Sequence, residues 1–166
     1  FDEQGRIKGC LDMPLSDRGM EQAARLAQEL SDIRVGAILS SPCESARQTA
    51  QSIAQGRDLR VRVVDDFRNV DQGLWHGKLI DEVRRNQPRI YKTGQDAPDD
   101  LCPPGGEAIC DARRRISKAL RKAIRLGRDE IVAIVVPDPL ATVIQGVIVQ
   151  KDFGNLWKCE TDVASW

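Results

Sequence analysis

Histidine is scarce in this sequence: His76 stands alone among 166 residues. Zinc sites commonly combine imidazoles with cysteines at fixed spacing, and a single histidine argues against one. Five cysteines are present, Cys10, Cys43, Cys102, Cys110 and Cys159, but no CxxC or Cys/His ligand spacing connects them. Odd in number and widely scattered, they read as free thiols of a reducing compartment, with the cytoplasm as the default. An excess of charge of either sign is also missing, since 25 basic residues meet 25 acidic ones. No global field therefore argues for nucleic acid or membrane. Long apolar runs are absent, no signal peptide is visible, and no membrane partner is expected. Neither metal nor cofactor is expected on these grounds.

What is there suits a soluble globule. The length fits one domain, residues 1–166, with 41% hydrophobic and 30% charged residues. Ser16 offers a helix cap before Met20, Ala23, Ala27 and Leu30, which share one helical face. "VGAILSSP" reads as a strand, "ESARQTAQSIA" as a helix with Ala46, Ala50, Ile53 and Ala54 inward, and "LRVRVV" as a half-buried strand. "LIDEVRRN" is a short helix, followed by a polar stretch through Glu107. A long helix then runs to about Leu126 on a stripe of Ile109, Ala112, Ile116, Leu120 and Ala123. The β-branched run Ile131–Val136 predicts a strand covered on both faces, stopped by Pro137-Asp138-Pro139. A helix from Pro139 and a strand-like "LWKCETDVASW" complete the pattern. Strands alternating with helices predict an α/β fold with a largely parallel sheet.

Four stretches carry a more specific signal: "GRIKGCLDMPLSDRGMEQA" from Gly5, "LSSPCESARQTA" from Leu39, "FRNVDQGLWHG" from Phe67 and "PPGGEA" from Pro103. In this order they resemble the phosphoglycerate-mutase-like branch of the histidine phosphatase superfamily, over nearly the whole chain. The resemblance implies a central, mostly parallel sheet flanked by helices, with the family's first strand absent from the sequence as given. It also implies phosphoryl chemistry through a phosphohistidine. The Arg-His-Gly motif bearing that nucleophile would fall just upstream of Phe1. Without its first strand the sheet would need residues before Phe1, a different closure, or a neighbouring chain in a strand-exchanged homo-oligomer.

Residue by residue, the match departs from the family pattern. Asp2 stands where the family has a phosphate-touching asparagine, Ser45 where it has a clamping arginine, Asn69 where it has the proton donor, and Asp138 where it has a late histidine. Serine supplies no guanidinium fork, and asparagine has no titratable proton. An Asp138 carboxylate would repel a phosphoryl group by about 4 kcal/mol at about 4 Å and an effective dielectric near 20. Asp138 also suits a helix N-cap, with Pro139 at the first helical position. The expectation is a catalytically inactive member acting by binding or assembly, with no catalytic role at Asp2, Ser45, Asn69 or Asp138. The alternative is a phosphomonoesterase or phosphoglycerate-mutase-like enzyme with a rearranged site, binding substrate through Arg6, Arg47, Arg68 and His76.

One further surface competes. Arg113 to Arg128 contains no acid. It reads as a solvated helix face, or as a docking surface in which Arg113, Arg114, Lys118, Arg121, Lys122 and Arg125 meet an acidic partner or nucleic acid. A polyanion-binding module built on residues 113–128 is thus a second alternative. Trp75 is expected to pack under the pocket and Trp157 in the late strand region.

Overall fold

A computed structural model of the chain describes residues 4–127, 130–150 and 156–157. Their contacts form two compact units. Of the described residues, the first unit takes 4–11, 69–117, 138–150 and 156–157, and the second takes 12–68, 118–127 and 130–137.

The second unit holds the sheet. Strands β1 (Val35–Ser40), β2 (Val61–Val63) and β3 (Ile131–Val135) are all parallel in the order β2-β1-β3. Ile38 pairs with Val61 on one side and Ala133 on the other, so β1 is central. Helix α1 (Asp17–Glu29) starts where Ser16 caps it, its hydroxyl accepting from the Gly19 N–H at 3.2 Å. Helix α2 (Glu44–Ala54) turns Ala46, Ala50 and Ile53 inward. Leu26, Leu30, Val35, Ile38, Ala50 and Ile53 form one buried cluster, which seals these helices onto the sheet.

Two expectations are corrected here. Met20 is 54% exposed, because the inward face of α1 runs through Ala23, Leu26 and Leu30. Strand β3 is only half-buried and Ile131 is 56% exposed, since β3 pairs on one side alone among the described residues.

The first unit contains α3 (Ile80–Asn86), α4 (Pro88–Asp96), the start of α5 (Ile109–Gly127) and α6 (Leu140–Val149). Helix α4 replaces part of the expected polar stretch. Pro88 opens it without losing a useful donor, and tertiary packing completes it. The Trp157 ring stacks on Tyr91 at 5.0 Å, and its Nε1 donates to the Tyr91 carbonyl at 2.9 Å. Its centroid lies 5.5 Å from that of Trp75, a fully buried ring whose own Nε1 donates to Gln87 at 3.0 Å. A Cβ on Gly94 would collide with the Trp157 indole, so this helix admits the ring only through a glycine. Leu156 and Trp157 form a turn rather than the expected strand, and the rest of that segment lies outside the described residues.

The cations of α5 separate by position. Arg113 pairs with Asp99, Arg114 with Asp111, and Arg115 with Glu107 in a bidentate bridge that is nearly buried. Lys118, Arg121, Lys122 and Arg125 are exposed, and their i, i+3, i+4, i+7 spacing puts them on one face. Ile124 and Leu126, 70% and 48% exposed, border that strip. Arg113 and Arg114 are therefore engaged by the chain's own acids.

Candidate functional site

In the first unit, Asn69 organises the surroundings of the family motifs. The segment from Arg68 leaves a short 3-10 turn (Asp65–Phe67) in extended geometry, which carries the Asn69 side chain inward to 4% exposure. Its Nδ2 donates to the Gly9 carbonyl at 2.8 Å and to the Asp138 carbonyl at 2.9 Å. Its Oδ1 accepts from the Val70 N–H at 2.9 Å. An amide suits this position because it both donates and accepts; a carboxylate would only accept. The side chain thereby ties together three segments remote in sequence.

Asp138 is not the helix cap expected of it. Pro139 occupies the N-cap position of α6, one residue later, because the helix begins at Leu140. The Asp138 carbonyl serves Asn69, and its carboxylate accepts from the Thr142 hydroxyl at 3.4 Å.

His76 follows the 3-10 turn Gly73–Trp75, anchored by buried Trp75. Its Nε2 accepts from the Cys10 N–H at 3.1 Å and the Gln72 N–H at 3.4 Å, and lies 3.6 Å from Asp71 Oδ1. That carboxylate oxygen accepts from the Gly73 N–H at 2.9 Å. A Cβ on Gly9, which has φ of +51°, would overlap the His76 ring. Cys10 Sγ, Asp71 and His76 thus offer three metal-type donor atoms within 4.8 Å of one another. Sequence spacing concealed this group, because Cys10 joins the other two only through the fold.

The remaining expected residues are distributed between the units. Arg6, also in the first, donates NH1 to the Gly77 carbonyl at 2.7 Å, which sets it beside the residue following His76. In the second unit, Ser45 stands in the first turn of α2, where its carbonyl accepts from the Thr49 hydroxyl at 2.9 Å. Arg47 pairs with Glu44, and Arg68 is exposed. Buried Ser40 and Ser41 end β1, the Ser41 N–H bonding to Val135 at 2.9 Å. Asp2 lies outside the described residues.

A family model for the histidine phosphatase superfamily, branch 1, matches residues 1–166. The chain belongs to that superfamily. It is 30% identical over 162 residues to phosphoserine phosphatase 1 of Hydrogenobacter thermophilus, covering 98% of this chain and 77% of that protein. Other curated relatives are matched over 45% or 60% of their own length. Among solved structures, Bacillus stearothermophilus YhfR superposes with a TM-score of 0.83 at 27% identity, over 95% of this chain and 78% of that one. A mycobacterial glucosyl-3-phosphoglycerate phosphatase gives 0.82 at 22% identity, over 95% and 77%, a likeness of fold. The α/β architecture, with helices flanking a parallel sheet, agrees with both neighbours.

These comparisons overturn the expectation of a catalytically inactive protein. The 30% identical relative, aligned over almost the whole chain, is named as a phosphatase, and nothing in the matches points to lost activity.

Proposed function

We propose that this chain is a phosphomonoesterase of the histidine phosphatase superfamily, acting on small phosphorylated metabolites with a site rearranged from the family pattern. The observation that carries the reading is the 30% identity to a phosphoserine phosphatase over 98% of the chain. Arg6, in the first unit, is assigned to phosphate recognition, where a guanidinium group matches the charge and fork geometry of a phosphoryl dianion. His76 is assigned to the same binding role. Asn69 takes a positioning role, holding the Gly9 and Asp138 carbonyls. The assigned location is the cytoplasm, in keeping with the scattered cysteines.

Phosphate release from phosphoserine, 3-phosphoglycerate and glucosyl-3-phosphoglycerate by the full-length native protein tests the reading. Turnover of at least one, with KM raised about tenfold or more by Arg6→Ala, is expected for a lost charge-assisted contact. Absence of turnover across a broad phosphomonoester panel would overturn it.

A second reading concerns partners. The strip of Lys118, Arg121, Lys122 and Arg125 is assigned to an acidic protein segment, because four cations are bordered by exposed Ile124 and Leu126 rather than by aromatic stacking residues.

A further inference from the structure

We propose that Cys10, Asp71 and His76 form a zinc-binding site. The donors are a thiol sulfur, a carboxylate oxygen and an imidazole nitrogen, all within 4.8 Å of one another, with the oxygen and nitrogen 3.6 Å apart. Around a tetrahedral zinc with bonds of about 2.0–2.3 Å, neighbouring ligand atoms stand roughly 3.3–3.7 Å apart. The oxygen–nitrogen edge already has that length, and zinc ligation would replace the bond that Cys10 Sγ donates to the Asn69 carbonyl at 3.5 Å.

Local structure prepares each donor. The N–H groups of Cys10 and Gln72 both point at Nε2, which places the ring proton on Nδ1 and the lone pair on Nε2. That is the tautomer a metal requires at Nε2, and ligation exchanges these two contacts, 3.1 and 3.4 Å long, for one metal bond. The Gly73 N–H fixes Asp71, and the absence of a Cβ on Gly9 leaves room for the ring. Binding converts the Cys10 thiol to a zinc thiolate and releases its proton to solvent. Thiolate and carboxylate together supply two negative charges against the divalent ion. A mixed sulfur, nitrogen and oxygen set suits zinc, whereas magnesium and calcium prefer oxygen alone. Cys10 is exposed and Asp71 is 50% exposed, so the fourth position faces solvent and accepts water or an anion. The site shares His76 with the phosphate-binding assignment, and the metal titration below reads it without any phosphatase assay, so the two readings can fail separately.

Cobalt(II) serves as the optical probe for zinc in the full-length native protein. One equivalent should give a thiolate-to-cobalt charge-transfer band with intense four-coordinate visible bands, both bleached by zinc. Cys10→Ser should abolish the charge-transfer band, while Cys43→Ser, Cys102→Ser, Cys110→Ser and Cys159→Ser combined should keep it. Asp71→Asn, which still accepts from Gly73, should weaken zinc binding about tenfold or more without changing the circular dichroism. Zinc affinity should fall as pH is lowered, because one proton competes for the thiolate. No cobalt band in the native protein, or a band that survives Cys10→Ser, would overturn the proposal.

Discussion

Asn69 shows what a single residue discloses and what it withholds. Its identity alone says that it cannot act as a general acid. Its structural task was illegible, because the carbonyls it serves lie 60 and 69 residues away. The same distance hid the meeting of Cys10 with Asp71 and His76, whereas the Ser16 cap needed only a local reading. Replacing Asn69 with aspartate should leave both carbonyls without their donor and bring a carboxylate against them. We expect a loss of about 2–4 kcal/mol, seen as a thermal midpoint lower by roughly 5–15 °C. A midpoint unchanged within about 1 °C would remove the positioning role.

Elements were legible where local periodicity and burial agreed. Helices α1, α2 and α5 each carry an apolar stripe, and the three strands fall within the segments "VGAILSSP", "LRVRVV" and Ile131–Val136. Helix α4 was not, since its sequence is polar and contains Gly94; it is held by the indole of Trp157, 63 residues further on. Gly94→Ala should therefore destabilise the protein by about 1–3 kcal/mol, against the usual gain from replacing a helical glycine. Urea unfolding measures the sign directly, and a stabilised variant would contradict the packing described. On α5, reversing charge at Arg121 and Lys122 together should weaken binding of a glutamate- and leucine-rich helical peptide about tenfold or more. Binding of the native protein should also fall as salt rises. Equal binding by native and reversed proteins would dismiss the acidic-segment reading.

For the whole molecule, the four motif stretches disclosed the family and its α/β plan, and the family model matches the entire chain. They did not disclose activity: absent family residues at Ser45, Asn69 and Asp138 suggested an inert protein, and similarity to a phosphatase over 98% of the chain reversed that conclusion. The reason is physical, since catalysis depends on groups converging in space and a substitution at one motif position says nothing of what the fold brings beside it. Phosphate release by the native protein is the deciding measurement at this scale. Another property of the molecule follows from the rings around α4. Trp75 and Trp157 sit 5.5 Å apart with their planes tilted by 54°, and Tyr91 lies against the second ring. Two indole transitions held that close at a fixed angle couple, so the folded first unit should show a paired positive and negative ellipticity band in the aromatic ultraviolet. Trp157→Phe would erase that signature while leaving the peptide bands in place, giving the chain a built-in optical gauge of its own tertiary order.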